Sequence, residues 1–182
     1  MMSTGEAAAA APWTEAARAR VALAYEACEL SELARAAVTV GPDELRGDGT
    51  STAPGSALAD AVHLLAAAHR LLVAAAVYER AAGADWQVVG AALNVSAGAA
   101  RQRFVAAEAR FREGPRSPGD ACDAPGTAVD EPEGWRSYLL REPLEAARDL
   151  DDWVLRHQDG DGDFGDAPVS GPLLRPTPPS GP

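Results

Sequence analysis

Lysine and isoleucine are absent from this 182-residue chain, and all 16 of its basic residues are arginine. Against 27 acidic residues these leave a net charge of −11, which excludes a uniformly basic nucleic-acid coat. Cysteine is scarce, with only Cys28 and Cys122. Two thiols make no disulfide framework in a chain this long, so both are expected to be reduced, as in a cytosolic protein. No uninterrupted apolar run has the roughly 20 residues a spanning helix requires. The most apolar stretch, Ala61 to Tyr78, contains His63, His69 and Arg70. The alanine-rich start, Met1 to Ala11, carries Glu6 where a signal peptide would be basic. The expectation is a cytoplasmic protein with no membrane partner.

Composition then separates ordered from unordered stretches. Residues 39–56 hold Gly41, Pro42, Gly47, Gly49, Pro54 and Gly55 and read as a long loop. Residues 113–133 carry Pro115, Pro118, Pro125 and Pro132, and residues 158–182 begin with alternating Asp and Gly and end in a Pro-rich run. Neither can bury enough apolar surface to offset its chain entropy, so both are expected to be disordered, as is 1–12. What remains is helical: an N-terminal helix at 13–38 with Thr14 as N-cap, a region at 57–112, and a C-terminal segment at 134–157. The last should hold a helix from Pro143 to His157, with proline at its first turn. In the middle region, Leu58 to Ala82 carries two apolar stripes: Leu58, Val62, Leu65, His69, Leu72, Ala76, and Leu64, Ala68, Leu71, Ala75, Tyr78. That pattern predicts a broad buried face and a central core helix. No segment alternates as a strand would, so the fold class is all-α.

The stretch from Gly83 carries the functional signal. Asp85 is placed to cap a short helix with Trp86, Val89, Ala92 and Leu93 inward, and Gly90 or Ala91 leaves room for a close neighbour. Asn94 falls where φ should be positive, Val95 is expected to turn into the core, and Ser96 supplies the next N-cap. Ala100, Phe104, Ala107 and Phe111 then recur at helical spacing on one buried side. A short helix, a tight turn and an N-capped second helix make a helix-turn-helix within the bundle.

This segment resembles the helix-turn-helix of many small actinobacterial DNA-binding proteins, related in outline to region 4 of sigma factors. Trp86, Leu93, Val95, Ser96, Ala99, Ala100, Arg103 and Phe104 match that pattern, and the helix ending Val77 to Gly83 resembles its support helix. The resemblance covers about 58–112. Asn94 replaces the usual Gly, and Ala97-Gly98 replaces an Arg-Gln pair at the start of the recognition helix. Ala and Gly cannot make the bidentate base contacts that discriminate by about 1–3 kcal/mol each. The resemblance implies double-stranded DNA as partner. Arg101, Gln102 and Arg103 would then face the major groove, Arg110 and Arg112 the phosphates, and Ser96 would hold the helix start.

Charge is distributed to suit that role. Residues 1–55 carry four basic and eight acidic groups, 56–112 six and four, and 113–182 six and fifteen. The alternative reading is a helical protein–protein adaptor that keeps the helix-turn-helix fold without specific DNA binding. A homodimer, or a protein held through the N- or C-terminal helix, stays open, because Leu23, Leu30 and Leu33 and then Leu144, Leu150, Trp153 and Val154 have no assigned cover. No metal site or cofactor is expected: His63 and His69 lie on different sides of a helix. The Asp159 to Phe164 run departs from a calcium loop at its sixth and twelfth positions. No phosphate loop or nucleophile elbow is present, so an enzyme is not expected.

Overall fold

The computed structural model describes residues 13–113, 142–157 and 164–174, and these are helical with no strand among them. Of the segments expected to be disordered, 1–12 and all of 113–133 except Glu113, which ends a helix, lie outside the described residues, as do 134–141, 158–163 and 175–182.

Helix α1 spans Glu15–Ala36, started by Thr14, whose hydroxyl accepts from the Ala17 amide at 3.0 Å. An irregular loop with one bridge, Leu45 to Ser51, follows. Helix α2 spans Ser56–Ala81 and returns antiparallel to α1. The pairing is fixed by two cross-helix contacts. The Arg70 guanidinium donates to Glu26 at 3.1 Å, and Arg20 lies over the Tyr78 ring at 5.9 Å. Glu26 is buried, so the pair is sheltered from water on the acid's side.

Three further elements stack on this hairpin. Helices α3, Trp86–Ala92, and α4, Ala97–Glu113, pack on the C-terminal half of α2. Their core is Ala76, Val89, Ala100 and Phe104, ringed by Leu72, Val73, Trp86 and Leu93. Helix α5, Pro143–Arg156, has its proline in the first turn as expected and packs on α1. Ala146, Ala147 and Leu150 bury against Val21, with Trp13, Tyr25 and Cys28 around them. Thus the unassigned apolar side of α5 is covered by α1. Glu26 faces α2 while Val21, Tyr25, Cys28 and Glu32 face α5, so α1 is the middle layer of three. Burial among these groups pushes the Cys28 thiol up to about 11, with Glu32 and Glu29 adding to the shift, so it stays neutral at physiological pH.

Two expectations need correction. The tail expected from residue 158 onward contains an ordered piece, Phe164 to Leu174, ending in a short helix α6, Ser170–Leu174. The buried Asp151 carboxylate on α5 holds it, accepting from the amides of Val169 at 2.6 Å and Ser170 at 3.0 Å and from the Ser170 hydroxyl. A single buried carboxylate with three donors fixes a segment whose own composition could not.

The second concerns α2, whose first apolar stripe is uncovered over its N-terminal half. Leu58, Val62 and Leu65 are 71%, 57% and 72% exposed. Only the continuation of that stripe, Leu72 and Ala76, meets α3 and α4. By length and composition alone α2 would suffice to cross a membrane, so its histidines and Arg70 do not exclude this on that ground. Here it is the partner of α1.

Candidate nucleic-acid interface

The turn between α3 and α4 is four residues, Leu93 to Ser96, and its geometry follows from three side chains and one missing one. The Asp85 carboxylate opens α3 by accepting from the Gln87 amide at 2.8 Å and the Val88 amide at 2.9 Å. Asn94 has φ 56°, the one non-glycine left-handed residue among those described, as its place in the turn requires. The Val95 amide then donates to the Gly90 carbonyl at 2.9 Å. This bond draws the turn against α3 so closely that a Cβ at Gly90 would lie 2.8 Å from the Val95 carbonyl oxygen. Of the two small residues that the sequence offered for close approach, Gly90 is therefore the one required. The Ser96 hydroxyl accepts from the Ala99 amide at 3.2 Å and starts α4.

Val95 and Ala92 depart from expectation. Val95 is 46% exposed and does not point into the core, and Ala92 is exposed as well. The turn closes through backbone hydrogen bonding to Gly90, so it needs no inward side chain at 95. Val89 is buried and Trp86 and Leu93 half-buried, as the pattern predicted. On α4, Ala100 and Phe104 are buried, with Ala107 and Phe111 half-buried beside them.

The sequence-derived site residues fall into three groups on α4. Gln102 sits on the side opposite Phe104, in an exposed strip with Gly98, Ala99, Val105, Ala106 and Ala109, and with Glu113 at its C-terminal end. Arg103 and Arg110, seven residues apart, edge this strip on one side, and Arg101 edges it on the other. Among the described residues none of these three arginines pairs with a carboxylate. Arg103 lies 5.1 Å from the Phe104 ring centre, and Arg110 donates to the Ala106 carbonyl of its own helix.

Arg112 stands apart. It donates to Glu15 of α1 at 3.0 Å and meets Glu108 at 2.8 Å. Hydrogen bonding to Glu15, with the Glu108 charge next, holds its guanidinium above the ordinary value. Its charge ties α4 to α1 instead of standing free. Ser96 acts through the backbone it caps.

Sequence reasoning missed the polar fastening behind this surface. The Arg80 guanidinium at the end of α2 donates to Glu108 at 3.2 Å and to the Ala84 carbonyl, and lies 4.6 Å from the Trp86 ring centre. One side chain thus joins α2, α3 and α4. The signal was present: Glu108 stands four residues beyond Phe104, so a carboxylate had to fall on the packed side of α4 and find a cation there.

The resulting surface is a helix seated on α2 and α3, with a strip of mostly small residues, one amide side chain and three arginines without carboxylate partners among the described residues. No protein-family model matches the chain, and neither a curated protein nor a solved structure matches it.

Proposed function

We propose that the chain binds double-stranded DNA through a helix-turn-helix formed by α3 and α4, as a transcriptional regulator with reduced base-specific readout. The observation that carries this reading is the outward side of α4, where Arg101, Arg103 and Arg110, without carboxylate partners among the described residues, flank a strip of Gly98, Ala99, Gln102, Val105, Ala106 and Ala109 that ends at Glu113. A helix with such a narrow side can lie deep in a major groove about 12 Å wide. The flanking guanidiniums then reach phosphates on the two strands, and Gln102 is the residue placed to meet a base edge, adenine being its usual partner. One amide is little discrimination. Ala99 and the exposed Val95 add only apolar contact with thymine methyls. Affinity should thus come chiefly from phosphates and fall steeply with salt.

The reading is tested by fluorescence anisotropy of the full chain on duplex DNA, at low and then physiological salt. Arg101→Ala/Arg103→Ala should weaken binding and lower the slope of log affinity against log salt by about two, one unit per phosphate contact. Gln102→Ala should leave affinity for mixed-sequence DNA almost unchanged while flattening any sequence preference. Equal binding by wild type and the double arginine variant would overturn the assignment. A second reading, the protein–protein adaptor, is favoured by Val88, Val95 and Val105, which are exposed on α3, the turn and α4. No DNA binding by the folded chain would select it.

A further inference from the structure

We infer that the cleft between α1 and α5 binds an apolar monocarboxylate, with Arg20 taking the carboxylate and the acyl chain lying toward Cys28. The cleft has a volume of about 430 Å³, within the roughly 300–1,000 Å³ typical of small-molecule sites. Leu23, Ala24 and Ala27 line it from α1, and Leu150, Trp153 and Val154 line it from α5. Val21, Ala146 and Ala147 hold the two helices together along a neighbouring seam. Beside that seam the two alanines of α1 are too small to fill the space facing an indole and two branched side chains.

The fastening of α6 completes the cleft. Val169, in the segment leading into α6, lines it as well, and its amide donates to the buried Asp151 carboxylate at 2.6 Å. Three parts of the chain, distant in sequence, thus converge on one apolar space. None of its lining residues lies on α3 or α4, so the site stands apart from the proposed DNA surface.

Charge selects the ligand and orients it. Among the described residues Arg20 is the one charged side chain lining the cleft, and it pairs with no carboxylate there. Its guanidinium rests 5.9 Å from the centre of the Tyr78 ring. An aromatic face holds a guanidinium without occupying its hydrogen-bond donors, so the fork stays open to a carboxylate. The charges of Glu29 and Glu32 act on Cys28, at the other end. An anionic head is therefore attracted at the arginine end and repelled at the thiol end, and one guanidinium balances one negative charge. Arg20 and Cys28 are eight residues apart, about 12 Å along α1. An extended acid of about eight carbons, with bonds near 1.5 Å, spans that distance.

Octanoate is the probe, followed by calorimetric titration of the full chain and by the reactivity of Cys28. In a Cys122→Ser chain Cys28 is the one thiol, so its rate of modification by neutral dithiodipyridine reports on the cleft. Octanoate is expected to bind with a Kd below about 1 mM, a modest efficiency for a ligand of its size, and to slow that modification severalfold. Octanol, of the same length but uncharged, should bind about tenfold more weakly, as expected for loss of one charge-assisted hydrogen bond. Arg20→Ala should weaken octanoate binding by the same factor and leave octanol binding unchanged. Its far-ultraviolet circular dichroism should match wild type, since Arg20 is exposed. Arg20→Lys, which keeps the charge without the fork, should fall between the two. Unprotected Cys28 in saturating octanoate would overturn the inference. Equal binding of octanoate and octanol would do so too, as would an octanoate affinity that Arg20→Ala leaves intact.

Discussion

Gly90 has no room for a side chain, and the reason is a neighbour's backbone. Its Cβ would meet the Val95 carbonyl oxygen at 2.8 Å and the Ala97 amide nitrogen at 3.1 Å, both fixed by the turn and by the cap of α4. A flexible side chain could move aside; these atoms cannot without opening the angle between α3 and α4. Gly90→Ala is therefore expected to destabilise the fold by about 1–3 kcal/mol, the usual range for overpacking, despite alanine's better helix propensity. Asn94→Gly is the matched control. At φ 56° glycine is at least as comfortable as asparagine, so that variant should unfold within a few tenths of a kcal/mol of wild type. Urea denaturation followed by circular dichroism checks both. A Gly90→Ala protein as stable as wild type would mean that the turn is not closed against α3 as described.

At the scale of elements, local signals were legible and long-range ones were not. Thr14, Asp85, Ser96, Pro143, Gly90 and Asn94 could be placed from sequence because each acts on backbone within a few residues of itself. The two stripes of α2 have similar compositions, so nothing in the sequence could tell which of them tertiary packing would leave bare. Glu26, Glu108 and Asp151 are buried carboxylates whose partners, Arg70, Arg80 and the start of α6, are distant in sequence. Composition alone made 164–174 part of an unstructured tail, because a capping acid on another helix leaves no mark in the segment it captures. That dependence is testable. Asp151→Ala removes the acceptor of three hydrogen bonds, so α6 should detach while α1 to α4 keep their packing. Hydrogen exchange should lose protection at the amides of Val169, Ser170 and Gly171, with little change in α2 and α4. Retained protection there would show that Val169 and Leu173 hold the segment through apolar contact alone.

At the scale of the whole molecule, a net charge of −11 is at odds with an anionic partner unless the charge is unevenly placed. It is: four arginines lie within 97–112, of which Arg112 is consumed by Glu15 and Glu108, leaving three on the outward side of α4. The sequence that leaves α4 at Glu113 carries Asp120, Asp123, Asp130, Glu131 and Glu133. On the proposed reading, carboxylates tethered to the arginine surface would compete with DNA phosphates at an effective concentration set by the tether, on the order of millimolar for short links. Repulsion of DNA by the acidic remainder acts in the same direction. Replacing the five with Asn and Gln is therefore expected to tighten DNA binding severalfold at low salt, without altering the helical content. The gain should shrink as salt rises and the Debye length falls from about 10 Å at 0.1 M towards 3 Å at 1 M. Binding isotherms at several salt concentrations separate the two contributions: loss of tethered competition raises affinity at every salt tested, whereas relief of diffuse repulsion disappears at the highest. An unchanged affinity throughout would leave the arginine surface uncontested by its own chain, and in the proposed complex its phosphate contacts alone would then set the affinity.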